Sequence, residues 1–273
     1  MSKIFICIGS ANSFDAILEY AKEHRYNLEV SNKIFCEPRI LDTNWRELVK
    51  DYQQKLHGFK GAISVHGAYG DPVIDVIHSE DKKVREVSRQ KIFQSIEIVR
   101  ELKAKRVVFH GDFNPLVRGE RYKPNWIERD VIFWSEVVEK YPSIEVVLEN
   151  TMEPRPEIFR TVLDEVNSSR LKICLDIGHV SVWAEVPVEE WIAVFEEWIA
   201  VLGEDIRSIH THDSSGYVDH LIPGKGAINW QEFSDLIAKY QIDPDIVFEV
   251  NPLETTIQSL KYFREENIYP FNK

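Results

Sequence analysis

The sequence predicts a (β/α)8 barrel that forms a single domain over residues 1–273. Eight short runs of aliphatic and β-branched residues alternate with eight stretches in which apolar residues recur three and four positions apart. This is the pattern of buried strands followed by amphipathic helices. The chain length is close to the roughly 250 residues that are usual for this fold. Six runs also end on a residue type that binds metals: His66, His110, Glu149, Asp176, His210 and Glu249.

The strands are predicted from apolar runs that are bounded by turn-forming residues. In chain order these runs are KIFICIG near residues 3–9, NLEV at 27–30, AISVH ending at His66, RVVFH at His110, EVVLE at Glu149, KICLD at Asp176, RSIH at His210 and DIVFE at Glu249. Short strands that are apolar on both faces are typical of a parallel sheet covered by helices.

Each run is followed by a stretch with helical periodicity. Helices are predicted over residues 13–25, 44–57, 80–103, 126–141, 156–168, 188–202, 229–240 and 253–266. Asn44 with Glu47 and Asn229 with Glu232 have the spacing of a capping box, with Asn in place of Ser or Thr. Pro156 suits a first helical position.

A doubly wound open sheet is the main alternative, because it is also built from alternating strands and helices. The six metal-binding residue types favour the closed barrel. In a barrel the C-terminal ends of all strands meet at one mouth, so residues that end six separate strands converge there. In an open sheet the same residues would lie along a line.

The crowding of these six side chains predicts a metal. Three carboxylates and three imidazoles at one mouth would repel or lose hydration, at several kcal/mol per unpaired ion, unless a cation compensates. A divalent metal is the simplest compensation. Imidazole and carboxylate ligands without a thiolate suit zinc or manganese, and also iron or cobalt, better than calcium, with magnesium as a further alternative.

Composition predicts a soluble cytoplasmic protein. Hydrophobic residues make up 44% and charged residues 29%, so a full core can form without disulfides or a membrane. No apolar stretch reaches transmembrane length, and the start MSKIFICIGSANSF lacks a signal-peptide core and cleavage site. Cys7, Cys36 and Cys174 are odd in number and lack zinc spacing, which favours buried reduced thiols. The net charge of −12 opposes binding of a polyanion, so nucleic acid is not an expected partner.

Two segments add candidate residues to the mouth. In LDIGHVSVW, His179 follows Asp176 by three positions, a spacing that lets both side chains reach the same site. The segment HTHDSSGYVDHLIPGKGAINW concentrates titratable residues in one loop: His210, His212, Asp213, Asp219 and His220.

Four side chains near this loop are predicted to contact substrate: His212, Asp213, Lys225 and Trp183. Lys225 lies between two glycines, where one cation could meet a phosphate or a carboxylate. Tyr69, Phe113, Trp126 and Trp183 form either an apolar wall for a sugar or ordinary packing at the barrel rim. By contrast, three histidines that fall on or beside helices are predicted to be surface residues: His24, His57 and His78.

Seven segments together resemble the xylose isomerase-like TIM-barrel superfamily, in particular the sugar phosphate isomerase/epimerase group, which shares its barrel with endonuclease IV. They are VHGAYGD with His66, FHGDFNP with His110, VLENTMEP with Glu149, CLDIGHV with Asp176 and His179, SIHTHD with His210, DHLIPGKGAINW with His220 and FEVNP with Glu249. They run from about residue 60 to 250 in the family's order. The ordered set is specific for the superfamily and poorly specific for substrate.

The resemblance implies one to three metals. Endonuclease IV implies one held by His66, His110 and Glu149, a second by Glu149, Asp176, His210 and Glu249, and a third that includes His179 and His220. The third set departs from the pattern, because Val218 occupies the position of a carboxylate and Asp219 is displaced by one. The epimerase branch implies one metal, held by the second set, with His179 nearby.

Two activities follow from the resemblance. The first is a divalent-metal-dependent isomerase or epimerase of a small sugar, sugar phosphate or polyol, in which Glu149, Glu249 and His179 are catalytic and a proton moves through an enediolate. The alternative is a metal-dependent phosphodiester hydrolase of the endonuclease IV type, which a second bound metal would favour. A barrel that has lost catalysis and only binds a ligand is a third hypothesis. The sequence leaves the substrate, the metal and the oligomeric state open.

Overall fold

The computed structural model describes residues 3–69 and 77–272. Within these residues, eight parallel strands pair in chain order, and the last pairs with the first to close a barrel. The closed barrel is therefore confirmed over the open sheet. The strands are β1 (Ile4–Ile8), β2 (Asn27–Val30), β3 (Ile63–His66), β4 (Arg106–His110), β5 (Glu145–Glu149), β6 (Leu171–Asp176), β7 (Ile206–Thr211) and β8 (Asp245–Phe248).

Helices cover the outside of the barrel. They are α1 (Phe14–His24), α2 (Asn32–Phe35), α3 (Pro38–Leu41), α4 (Trp45–Lys55), α5 (Lys82–Glu101), α6 (Tyr122–Lys140), α7 (Glu157–Val166), α8 (Ile177–Trp183), α9 (Trp191–Leu202), α10 (Trp230–Lys239) and α11 (Leu253–Glu265). All eight predicted helices form, with ends shifted by a few residues. The short helices α2, α3 and α8 were not predicted, because four to seven residues are too few for a periodic pattern.

The two predicted capping boxes have different outcomes. The Asn229 side chain accepts a hydrogen bond from the backbone N–H of Glu232 at 3.2 Å and caps α10 as expected. Asn44 precedes α4 but makes no side-chain hydrogen bond to it, so that prediction is wrong. Pro156 stands at the N-cap of α7, one position before the first helical residue.

The main apolar core lies between the strands and the helices. Its largest fully buried side chains include Trp126, Trp134, Trp198 and Trp230, which project from helices α6, α9 and α10. The three cysteines are free and buried, as the sequence predicted. Among the described residues, no helix is both long enough and apolar enough to cross a membrane.

Ion pairs close the N-terminal end of the barrel. Arg106 Nη2 lies 2.7 Å from Asp245 Oδ2, and Arg106 Nε lies 2.9 Å from Glu145 Oε2. Arg207 contacts the same two carboxylates at 2.9 and 3.0 Å. Because catalysis in this fold is found at the opposite, C-terminal end, we regard this network as structural.

Candidate metal centre

Four of the predicted ligands converge at the C-terminal mouth of the barrel. Glu149 and Asp176 are the last residues of β5 and β6, His210 is the last but one of β7, and Glu249 directly follows β8. One ligand atom from each of the four lies within 4.8 Å of the others. We call this set the central site.

His210 is in the middle of the central site. Its Nδ1 atom lies 2.9 Å from Glu249 Oε2, 3.3 Å from Glu149 Oε1 and 3.8 Å from Asp176 Oδ2. Both His210 Nδ1 and Glu249 Oε2 are buried and have no hydrogen-bond partner. Because buried polar atoms are normally hydrogen-bonded, two unpartnered atoms that face each other fit donors aimed at a shared cation.

The ionisable groups of the central site shift one another's pKa values. Burial lowers the pKa of His210, but the nearby Cys174 and the surrounding carboxylates outweigh burial and leave this pKa well above its usual value. Burial raises the pKa of Glu149, but the charge of His210 and a hydrogen bond with His66 hold it well below its usual value. Burial also raises the pKa of Glu249, but the charge of His210 outweighs burial and leaves this pKa below its usual value. The carboxylates are therefore ionised at neutral pH and require a positive charge among them.

A second set of ligands adjoins the central site through Glu149. His66 Nε2 lies 2.9 Å and His110 Nε2 lies 3.8 Å from Glu149 Oε2, and the three residues have ligand atoms within 4.8 Å of one another. His66 Nδ1 is buried without a hydrogen bond. The ring of Tyr69 packs 4.5 Å from each of the two imidazole rings. We call this set the side site.

The two histidines of the third predicted set, His179 and His220, lie beside a further histidine, His212, which was predicted as a substrate contact. His179, His212 and His220 have ligand atoms within 4.8 Å of one another, but both nitrogens of His212 are engaged. Its Nε2 atom lies 2.9 Å from Asp176 Oδ2, and its Nδ1 atom accepts the backbone N–H of His220 at 2.8 Å. Hence His212 supports Asp176 through one nitrogen and the loop through the other.

Val218 occupies the position at which the family has a carboxylate, so it adds no ligand to the third set. Val218 is 55% exposed. The neighbouring Asp219 instead turns towards His179, with its Oδ2 atom 3.8 Å from His179 Nε2. The carboxylate displaced by one position therefore comes near the set without joining the group whose ligand atoms converge.

Two supporting residues of the centre were missed in the sequence. The Asn150 amide donates to the Asp176 carbonyl at 3.0 Å and accepts the Asp176 N–H at 2.8 Å. The Asn150 carbonyl lies 2.9 Å from His179 Nδ1. Glu29, inside β2, lies 2.8 Å from His210 Nε2 through its Oε1 atom. The only sequence signal for Glu29 is a carboxylate in the middle of the apolar run NLEV.

The predicted substrate contacts occupy different environments. Asp213 is fully buried, and its carboxylate accepts hydrogen bonds from the backbone N–H groups of Ser214, Gly224 and Ile228 and from the indole of Trp230. This geometry favours a role in loop structure over substrate contact. Lys225 is exposed, and Trp183 is half-buried at the end of α8. Their substrate contacts, like that of His212, stay predictions.

The four aromatic residues do not form one wall. Tyr69 packs on the side site, whereas Phe113 and Trp126 pack on each other with ring centroids 5.6 Å apart. The Trp126 ring lies 5.6 Å from that of His78, which is buried. The prediction of a surface His78 is therefore wrong, because α6 covers it, whereas His24 and His57 are exposed as predicted.

Comparisons with known proteins agree with this architecture. The family described as Xylose isomerase-like TIM barrel matches residues 13–266. A D-tagatose 3-epimerase-like protein has a TM-score of 0.75 at 24% identity, covering 97% of this chain and 96% of its own. The TTHB071 protein from Thermus thermophilus, soaked with ZnCl2, has a TM-score of 0.72 at 23% identity, covering 96% and 97%. A D-psicose 3-epimerase studied with D-fructose has a TM-score of 0.72 at 13% identity, covering 97% and 99%. No curated protein matches the chain by sequence.

Proposed function

The chain belongs to the xylose isomerase-like TIM barrel family, and from this premise we propose that it is a divalent-metal-dependent isomerase or epimerase. Its substrate would be a small sugar, sugar phosphate or polyol. The names of two similar structures, a D-tagatose 3-epimerase-like protein and a D-psicose 3-epimerase, support this choice of chemistry. At identities of 24% and 13%, the activity remains our proposal for this chain.

The observation that carries the proposal is the convergence of Glu149, Asp176, His210 and Glu249 around two unpartnered buried atoms. Three carboxylates and one imidazole fit a divalent ion such as zinc or manganese. The zinc soak of the similar TTHB071 protein favours zinc. When bound, such an ion would chelate adjacent oxygens of a hydroxy-carbonyl substrate and make the neighbouring C–H bond more acidic.

Proton transfer is assigned to the two glutamates of the central site. The lowered pKa values of Glu149 and Glu249 keep both carboxylates in the basic form at neutral pH. The side chain of Glu249 is 15% exposed, against 2% for that of Glu149. We therefore assign to Glu249 the removal of the substrate proton, which gives an enediolate. Glu149 takes up a proton from solvent and delivers it to the other face of the enediolate, and Glu249 releases the proton that it removed to solvent.

His179 is assigned to the substrate oxygen. Its Nδ1–H donates to the Asn150 carbonyl at 2.9 Å, which leaves Nε2 as the ring nitrogen available to a substrate. An imidazole fixed in this way can accept a hydrogen bond from a sugar hydroxyl. Lys225 and Trp183 are assigned to the remote end of the substrate.

We also assign the protein to the cytoplasm, where its three buried free thiols would stay reduced.

The test is exchange of a substrate proton with solvent. The protein, loaded with Mn2+ or Zn2+, is incubated in D2O with a panel of ketopentoses, ketohexoses and their phosphates, and deuterium at the carbon beside the carbonyl is followed by NMR. We expect incorporation and a second epimer or isomer for at least one sugar. A chelator-treated sample serves as the control. Absence of exchange across the whole panel would reject the proposed activity.

The side site supports a second candidate, a metal-dependent phosphodiester hydrolase. His66, His110 and Glu149 could hold another ion next to the central one, and paired metals suit hydrolysis. The net charge of −12 opposes binding to DNA, so a smaller ester is the better substrate for this candidate. Elemental analysis separates the two activities, because one metal per chain favours proton transfer and two or more favour hydrolysis. Cleavage of abasic duplex DNA is the direct assay.

A further inference from the structure

Glu29 is a buried carboxylate that the assigned chemistry does not use. It lies in β2 between the apolar residues Leu28 and Val30, and it is 1% exposed. A buried carboxylate costs several kcal/mol unless it is paired or hydrogen-bonded. Within the described residues, its only ion pair is with His210. No lysine or arginine among the described residues forms an ion pair with Glu29.

The contact between Glu29 and His210 spans the barrel. Glu29 Oε1 lies 2.8 Å from His210 Nε2, although β2 and β7 are not neighbours in the sheet. An ionised carboxylate only accepts hydrogen bonds, so the proton of this contact is on Nε2. His210 then presents Nδ1 to the central site, where the atom faces Glu249 Oε2 at 2.9 Å.

We propose that Glu29 is a positioning residue that fixes the orientation and tautomer of His210 and strengthens its Nδ1 atom as a metal ligand. This inference rests on the proposed metal-dependent function. Carboxylates behind metal-binding histidines are known to fix the tautomer and to raise ligand basicity. His179 offers an internal contrast, because its Nδ1 atom hydrogen-bonds an uncharged carbonyl, that of Asn150, at 2.9 Å, while the nearest carboxylate oxygen, Asp176 Oδ2, is 3.4 Å away. Of these two histidines, only His210 hydrogen-bonds a carboxylate.

The test compares zinc affinity in two variants with that of the wild type. Glu29→Gln removes the charge and retains an acceptor, whereas Glu29→Met removes the hydrogen bond as well. Competition with a chromogenic chelator is expected to give affinities about 10- to 100-fold weaker, with the Met variant the weaker of the two. The visible absorption of the Co2+ form is expected to change in both variants, because it reports ligand geometry.

Asp245→Asn is the matched control. Asp245 is also a buried carboxylate of a barrel strand, but it pairs with Arg106 at the opposite end. Loss of its charge is expected to lower stability and to leave zinc affinity and the Co2+ spectrum unchanged. A drop in affinity equal to that of Glu29→Gln would mean that general destabilisation explains the effect, and it would overturn the inference.

A measurement on the wild type covers the case in which the variants fail to fold. In histidine-labelled protein, 15N NMR of the zinc form is expected to identify His210 as metal-bound at Nδ1 and protonated at Nε2. Binding through Nε2 would overturn the inference, as would folded Glu29 variants with wild-type zinc affinity. In those cases the proposed function would stand. A wild type that binds no divalent metal would overturn both.

Discussion

His210 Nδ1 and Glu249 Oε2 are both buried and lie 2.9 Å apart, close enough for an ion pair when His210 is protonated, yet neither atom has a hydrogen bond within the described chain. An unpartnered buried donor or acceptor costs about 1–3 kcal/mol. The fold holds both atoms in this arrangement with strands β7 and β8, which pair directly. We infer that the barrel keeps a binding site ready at some cost to its own stability.

Metal binding is therefore expected to stabilise the protein. Zinc at about 100 times its dissociation constant contributes about 2.7 kcal/mol to the free energy of unfolding. For a domain of this size, that corresponds to a rise in Tm of roughly 5–10 °C. Differential scanning fluorimetry of chelator-treated protein, with and without added Zn2+ or Mn2+, measures the shift. An unchanged Tm at saturating metal would contradict a metal site that is formed by the fold.

Loss of the Glu249 carboxylate is expected to abolish turnover without unfolding the barrel. Glu249→Gln keeps the shape of the side chain but removes the base and one ligand charge, and positioned proton transfer contributes about 10²- to 10⁴-fold in rate. The measurements are kcat on the substrate found in the exchange assay and the far-UV circular dichroism spectrum. Glu254→Gln is the matched control, because Glu254 is exposed in the first turn of α11. Undiminished activity of Glu249→Gln would remove Glu249 from the mechanism.

Zinc affinity is expected to increase with pH. The raised pKa of His210 means that the metal-free protein carries a proton on this residue at neutral pH, and zinc must displace that proton. As the pH rises towards that pKa, zinc competes with fewer protons, so log Kd should fall with a slope of about one per pH unit. Calorimetry in buffers of different ionisation enthalpy counts the released protons. Binding without proton release would contradict the protonated state of His210.

The sequence predicted the barrel and the central site for the same physical reason. Buried parallel strands are recognisable as short apolar runs, and a ligand at the last position of a run must reach the C-terminal mouth once the barrel closes. Glu149, Asp176 and His210 needed no further information to be found. Glu249, one residue beyond β8, followed the same logic.

The contacts that could not be predicted from the sequence are long-range contacts. Glu29 meets His210 across 181 positions of sequence, and a carboxylate in mid-strand has no local pattern that indicates its partner. His212 belongs to a polar loop, but its Nε2 atom hydrogen-bonds Asp176 at the end of another strand. His78 precedes a polar helix, and its burial depends on Tyr122 and Trp126 of α6. The local spacing of apolar and polar residues does not indicate any of these contacts.

The absence of a side chain at Gly178 is expected to be necessary for the site. A Cβ atom at this position would overlap the ring of His212, whose Nε2 atom holds Asp176. Gly178→Ala should displace that ring, weaken zinc binding by roughly 10-fold or more and lower kcat. Gly119→Ala is the control, since a Cβ at Gly119 meets only ordinary van der Waals contact. Equal zinc affinity for the Gly178 variant and the wild type would show that the position of His212 does not affect metal binding.

His78 is expected to make the protein less stable in mild acid. Burial lowers the pKa of His78 from 6.5 to about 4, and the charge of Arg129 adds to this effect against the opposing influence of Asp112. Its Nδ1 atom is buried without a partner, so a proton there would be a buried, unpaired charge. Above pH 6.5 the residue is neutral in both folded and unfolded chains. Between pH 6.5 and 4 only the unfolded chain takes up the proton, so stability falls as the pH falls.

The size of this effect follows from linkage. Each pH unit in that window costs about 1.4 kcal/mol, so the free energy of unfolding should lose about 2 kcal/mol between about pH 6.5 and 5 through His78 alone. Other groups also titrate, and Phe in place of His78 isolates the contribution. Urea unfolding of wild type and His78→Phe at about pH 7.5 and 5 gives the double difference. His57→Phe, at an exposed position, is the control and should keep the pH dependence of the wild type. If His78→Phe also loses as much stability as the wild type between the two pH values, the imidazole is protonated in the folded protein and its environment is polar.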